Sequence, residues 1–371
     1  MAANQQSTLK ARDVVARMKE YHPPLSGRAG LRLDFNENTL SCSPRVAAKL
    51  RGIAGDERLT IYPEREPVEA VAAEYLGLHK EQVLLTNGVD EAIHLLCESY
   101  LEPGDEVIIV VPTFSMYEIY ASSTGATVVL LQADPEEDFR FPIEKVLAKI
   151  GPQTRLIALA SPNNPTGSVI EHQKIERILE AASQSAVLVD EAYFDFYGVT
   201  MLDAIARYPN LFVARTFSKA YGLAGLRLGI LAGASTQMRM VRKVSSPYNV
   251  NGVALACLEE ALADRQFIAD YVAQIRSGRE RLQNELSALK IRFWPSQANF
   301  VLFKIGTWHQ EFVLAMREQG ILVRDRNSDP GCAGCVRITI GAETQMDRLI
   351  PALRQALSEI GWNAALSEGG S

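Results

Sequence analysis

LIALASPNNPTGSVIEHQKIERILEAASQSAVLVDEAYFDF, residues 156–196, decides the fold. Two apolar runs, LIALA (156–160) and VLVD (187–190), flank a segment with apolar residues at helical spacing over Glu171–Ala182. An unbroken aliphatic run has no polar face, so each reads as a strand covered on both sides. Such strands separated by helices form a mainly parallel sheet. The same pattern continues in both directions through VLLT (83–86), VIIVV (107–111), VVLL (128–131), FVART (212–216) and LGILA (228–232), with a second amphipathic stretch at Glu91–Tyr100. Only eleven residues separate the last two runs. That is tight for a crossover helix and admits one antiparallel strand there.

Past residue 235 the pattern changes. Ala254–Leu289 reads as helix with a break near Asp264. NFVLFKI (299–305), ILVR (321–324) and VRITI (336–340) read as strands, and His309–Gln319 and Glu343–Ile360 as helices. The expected architecture is therefore α/β. An N-terminal arm (1–35) precedes a large domain with a mainly parallel central sheet covered by helices (36–250). A smaller α+β domain (251–362) and a flexible tail (363–371) follow.

Composition narrows the function. The chain has 371 residues, 47% hydrophobic and 22% charged, an ordinary globular make-up. Its 38 basic and 44 acidic residues argue against a nucleic-acid partner. Apolar runs such as Val107–Val111 fall far short of the roughly 20 residues that cross a bilayer, and the N-terminus has no apolar signal-peptide core. Five cysteines, an odd number, fit reduced thiols, and a cytoplasmic protein is expected. The five histidines make no metal-binding pair, and the CAGC at Cys332 and Cys335 lacks two further ligands, so no metal is expected. GxGxxG and Walker motifs are absent, which disfavours a nicotinamide dehydrogenase.

Four segments carry candidate chemistry, each with a plain structural explanation beside it. TNGVDEAIHLL (86–96) puts Gly88 at a strand-to-helix turn, where free N–H groups bind phosphate; most such turns need glycine for geometry alone. SPNNPTG (161–167) is a rigid turn at a strand's carboxyl end, where ligands of parallel sheets bind, and could be only a turn. Asp190 follows four apolar residues, so its buried carboxylate needs a cation or serves as a helix cap; Tyr193 can reach the same crevice. In RTFSKAYGLAGLRLGILAG (215–233), Lys219 sits among apolar residues upstream of Arg227. A desolvated lysine beside a second cation becomes a nucleophilic amine, although most lysines are solvated surface charges. Taken jointly, an amide (Asn164), carboxylate, phenol, amine and guanidinium at successive strand ends match the needs of one cofactor. That is pyridoxal 5′-phosphate, with its aldehyde, ring nitrogen, phenolic oxygen and phosphate.

SPNNPTG, DEAY (190–193) and TFSKAYGLAGLRLG (216–229) resemble the signature of class I/II aminotransferases, fold-type I enzymes that use this cofactor. Within the class, DFNEN (34–38), YPE (62–64), NGVDEAI (87–93), EPGDEVIIVVPTFSMY (102–117), GILVRDRN (320–327) and GCVRITIG (334–341) are similar to the histidinol-phosphate aminotransferases. The resemblance implies that Lys219 carries the cofactor and that Asp190 pairs with its ring nitrogen. Tyr193 and Asn164 would bond its phenolic oxygen, and Phe114, often tyrosine in the family, would stack on the ring. The phosphate would take the turn at Gly88, Val89 and Asp90, the hydroxyls of Thr216 and Ser218, and Arg227. Tyr62 would reach the phosphate bound by a neighbouring subunit, which implies a homodimer with a shared site. Arg337 would grip the substrate's carboxylate or phosphate, Arg324 and Tyr21 its phosphoryl group, with Asn36 also in the substrate set. Thr39 stands where the family usually has proline. The implied small-molecule substrates are histidinol phosphate and 2-oxoglutarate, converted to imidazole-acetol phosphate and glutamate in histidine biosynthesis. An aromatic amino acid aminotransferase and a threonine-phosphate decarboxylase-like enzyme are the alternatives.

Overall fold

The structure, a computed structural model, describes residues 9–24, 27–53, 55 and 59–362. The tail expected at 363–371 and the first eight residues of the expected arm lie outside the described residues. In chain order the strands are β1 Leu31–Arg32, β2 Val83–Thr86, β3 Glu106–Val111, β4 Thr127–Gln132, β5 Thr154–Ala160, β6 Ala186–Asp190 and β7 Leu211–Thr216. They continue with β8 Gly229–Gly233, β9 Phe293–Trp294, β10 Phe300–Lys304, β11 Ile321–Leu322, β12 Arg324–Asp325 and β13 Cys335–Thr339.

Seven strands form the central sheet in the order β2–β8–β7–β6–β5–β3–β4. β8 runs antiparallel to both of its neighbours, at the short connection the sequence marks, and the other pairs are parallel. Consecutive residues enter opposite cores. Leu188 packs in the cluster under helix Gly88–Tyr100, while Val187 and Val189 pack in the cluster under helix His172–Ala181. Burial on both faces is why these runs are continuously apolar. Each fully buried aliphatic side chain contributes about 1.5–3 kcal/mol. The sheet therefore makes a rigid platform whose parallel strands end at one edge.

The C-terminal part builds a second sheet, β12–β13–β10–β9, antiparallel throughout. Its helical lead-in breaks where expected, into Gly252–Ala263 and Arg265–Ala288, with the Asp264 carboxylate at the break accepting a hydrogen bond from Ser43. One strand differs from the sequence reading: ILVR is two strands. Ile321–Leu322 pairs with β1, inside the stretch read as an arm, and Arg324–Asp325 pairs with β13. The switch at Val323 buries the apolar half against Leu31 and leaves the charged half beside the central cavity. Among the described residues, no helix is long and apolar enough to cross a membrane.

Candidate active site

The strand ends and the small sheet enclose a cavity of about 310 Å³. Every residue singled out from the sequence lines it except Gly88 and Tyr62. That size suits a small ligand with its cofactor.

β6 ends in Asp190, which is only 4% exposed. Its carboxylate accepts hydrogen bonds from the Tyr117 hydroxyl (2.6 Å) and the Ala192 N–H (2.9 Å). Both donors are neutral. Burial pushes this carboxyl up to about 6, with the Tyr117 bond opposing the rise. A buried carboxylate that lacks a cation is costly unless a ligand brings one. Sequence reasoning missed Tyr117; a buried aromatic in the first turn of a helix, Met116–Thr124, looks like ordinary core.

β7 leads through Thr216 and Ser218 to Lys219, whose amine donates to the Phe35 carbonyl at 3.1 Å. Burial, followed by the nearby charge of Arg337, lowers this amine to about 8. An ordinary lysine lies near 10.4, so far more of Lys219 is the free nucleophile at neutral pH. Covalent capture of the cofactor's aldehyde by the apoprotein should therefore rise with pH through about 8. Stopped-flow absorbance measures this, and a midpoint near that of a solvated lysine would remove the argument.

β2 leads into helix Gly88–Tyr100, whose N-cap Asn87 makes no side-chain capping bond, so the first-turn N–H groups are available to an anion. Arg227 reaches the same corner from left-handed backbone (φ 55°). Such a conformation costs a non-glycine residue about 1–3 kcal/mol and persists where the surroundings impose it. Its guanidinium donates to the Asp90 carboxylate (2.9 Å), the Ala224 carbonyl (3.3 Å) and the Ser218 hydroxyl (3.5 Å). Gly88, at φ +78°, lies behind it: a Cβ there would come within 2.6 Å of the guanidinium nitrogen. Gly88 thus makes room for Arg227 rather than lining the cavity.

In SPNNPTG, Asn163 fixes the loop through Pro112 (2.9 Å), Thr113 (2.7 Å) and Thr166 (2.9 Å). Its neighbour Asn164 faces the cavity and accepts a hydrogen bond from Arg337. Arg337, 4% exposed, also donates to the Asp34 carbonyl (2.6 Å), and burial lowers it to about 9. The Tyr193 hydroxyl accepts from the Asn36 amide at 2.9 Å, and Asn36 is tied in turn to Thr339. Asn36 therefore meets the site with its amide already engaged. Phe114 and Tyr21 complete the walls. Tyr62 lies outside, 76% exposed and stacked on Tyr248 at 4.4 Å between ring centroids.

These groups fit the cofactor inferred from the sequence. The helix N-terminus with Arg227 suits its phosphate, uncompensated Asp190 its ring nitrogen, and Lys219 its aldehyde. Fold and site together fit an enzyme that uses a carbonyl cofactor at the strand ends of a seven-stranded sheet, where Lys219 stands. The chain belongs to the aminotransferase class I and II family, whose model matches residues 28–353. It is 36% identical over 334 residues to the histidinol-phosphate aminotransferase of Caldanaerobacter subterraneus subsp. tengcongensis, covering 88% of this chain and 93% of that protein. To the enzyme of the same description from Geobacillus sp. it is 35% identical, covering 89% and 90%. Among solved structures, the Sinorhizobium meliloti histidinol-phosphate aminotransferase in complex with pyridoxal-5′-phosphate superposes with a TM-score of 0.86 at 23% identity, covering 96% of this chain and 99% of the other. A Thermus thermophilus aspartate aminotransferase mutant does so at 0.78 and 23% identity, covering 95% and 99%. The fold is thus that of the fold-type I aminotransferases, and the chain is an enzyme of amino-group transfer.

Proposed function

We propose that this enzyme, with pyridoxal 5′-phosphate on Lys219, transfers the amino group of histidinol phosphate to 2-oxoglutarate, yielding imidazole-acetol phosphate and glutamate. The observation that carries the donor's identity is the pair Arg324 and Arg337, cross-strand partners in β12 and β13 that line the cavity with Lys219. Arg324 Nη1 and Arg337 Nε are buried without a hydrogen-bond partner. Two guanidiniums with unused donors match a phosphate better than a neutral aromatic ring. The names of the relatives agree with this reading.

When bound, the cofactor supplies an electron sink that acidifies the carbon bearing the amino group. The protein supplies the rest. Asp190, anchored by Tyr117, would hold the ring nitrogen and supply the negative charge that favours its protonated form. The Lys219 amine, lowered by burial to about 8, would be the group to take up and return a proton at that carbon, a general-base and general-acid role. Tyr193 and Asn164 orient the phenolic oxygen, and Phe114 supplies a π-face. Arg227, Thr216, Ser218 and the N–H groups at Val89 and Asp90 fasten the phosphate.

Arg324→Ala tests the donor. A phosphate deprived of the Arg324 guanidinium should lose about 2–5 kcal/mol, as truncated buried ion pairs do. Glutamate, with less charge at its far end, should depend more on Arg337. Single-turnover rates should therefore fall much further with histidinol phosphate than with glutamate. Equal losses would move the assignment to an aromatic donor.

We also infer a cytoplasmic homodimer in which Tyr62 of one subunit reaches the cofactor phosphate of the other. An exposed aromatic pair, Tyr62 on Tyr248, with Leu59 and Ile61 also exposed, supports this. Tyr62→Phe should weaken cofactor affinity by the value of one hydrogen bond, about 0.5–1.5 kcal/mol. Heterodimers pairing Tyr62→Phe with Lys219→Ala should retain one complete site, made from the intact Lys219 of one subunit and the intact Tyr62 of the other. Subunits that behave independently on mixing would contradict the shared site.

A further inference from the structure

We infer that Arg326 is a third cation of the substrate pocket and that it selects a doubly charged anionic group on the amino donor. The inference rests on, and sharpens, the reading above. Arg326 lines the same cavity as Arg324 and Arg337. Its N–H donates to the Cys335 carbonyl at 2.9 Å, which prolongs the β12–β13 ladder by one residue. Residues two apart on a strand face the same way, so Arg324 and Arg326 share the face on which Arg337 sits opposite Arg324. Three guanidiniums thus converge from one face of the small sheet.

Their charge is only partly compensated. Arg326 pairs with Asp329 three residues on. The other charges nearby balance: Asp34 and Glu37 are matched by Arg28 and Arg32, Asp90 by Arg227, and Asp190 and Lys219 in the same cavity carry opposite signs. Three guanidiniums against Asp329 leave two positive charges. Moreover, Arg324 Nη1, Arg326 Nε and Arg337 Nε are all buried without a hydrogen-bond partner. Like charges packed this way repel: burial, followed by the charge of Arg326, lowers both Arg324 and Arg337. A ligand carrying two negative charges and several acceptor oxygens relieves the repulsion and uses the free donors; a monoanion does half of this. The Arg326–Asp329 pair sets the balance at the value a phosphate monoester dianion matches.

The competing explanation is that the pair only fastens the turn before Gly334. The two roles separate because Arg326→Gln and Asp329→Asn break the same pair but change the charge in opposite directions. The probe is inorganic phosphate, dianionic at mildly alkaline pH, as an inhibitor of the glutamate half-reaction of the holoenzyme. Arg326→Gln should weaken inhibition at least about tenfold, the loss expected for a hydrogen bond to a charged group. Asp329→Asn should strengthen inhibition, and Arg326→Lys, which keeps the charge, should restore most of it. Should the glutamine variant not fold, the lysine and asparagine variants still give the comparison. Inhibition that moves the same way in both pair-breaking variants, or stays unmoved in Arg326→Gln, overturns the inference. The donor assignment fails separately: phosphate inhibition following this pattern without turnover of histidinol phosphate would keep the dianion site and require a different phosphorylated amine.

Discussion

Lys219→Ala is expected to lower turnover by at least about ten-thousand-fold and to abolish borohydride-trappable cofactor. The variant loses both the amine that holds the aldehyde and the group that carries the proton. General acid–base transfer alone is worth about a hundred- to ten-thousand-fold, and covalent attachment adds to it. The fold should survive. In the structure the amine makes one hydrogen bond, to the Phe35 carbonyl, and its burial is unfavourable to the charged form. Below about 8 the apoprotein bears that cost in full. The cost fades as pH climbs toward the lysine's ordinary value, so the folded state has little to lose by removal of the charge. Circular dichroism should show unchanged secondary structure. A reducible cofactor linkage persisting in the variant would transfer the role to another lysine.

Asp190→Asn is the second large effect, and its sign differs between activity and stability. In the proposed role the Asp190 charge favours a protonated ring nitrogen, and asparagine would remove that charge. Losses on the scale of a transition-state electrostatic group, about a hundred- to a thousand-fold or more in kcat, follow. The apoprotein should respond in the opposite direction. The carboxyl rises from its ordinary 3.8 to about 6 on burial. This gap corresponds to about 3 kcal/mol against the ionised form. A raised carboxyl stabilises the fold fully only below its unfolded value, and this contribution is lost as pH rises through about 6. At neutral pH the wild-type apoprotein therefore bears the full cost of the buried anion. Asparagine removes it and still offers an oxygen to the Tyr117 hydroxyl. The apoprotein melting temperature should stay level or rise while kcat collapses. A variant that loses both together would show Asp190 to be a structural anchor instead.

What could be read without coordinates was whatever one segment encodes by itself. The runs of the central sheet were legible because its inner strands are buried on both faces and must be apolar throughout, and the edge strand Thr127–Gln132, although partly exposed, keeps four consecutive aliphatic residues. The break at Asp264 was legible as an interruption of periodicity. Asp190 stood out because a carboxylate directly after an apolar run has few inexpensive explanations, and Lys219 and Arg227 because they are two cations in one otherwise apolar stretch. Asn164 stood out through its rigid turn, although its neighbour Asn163 holds the loop. Tertiary structure decided everything that depends on pairing across the chain. Tyr117 reads as core until β3 and β6 bring it to Asp190, 73 residues away. Asn36, in the expected substrate set, lines the cavity, and only the fold shows its amide bonded to Tyr193, 157 residues on. ILVR reads as one strand until β1 and β13 compete for its two halves. Arg326, which nothing in GILVRDRN singles out, is turned by strand register to the face of Arg324 and Arg337. Periodicity reports which way a side chain faces within its own element. Only the order and register of the sheets determine which distant side chain it meets, and the cavity's charge is set by those meetings.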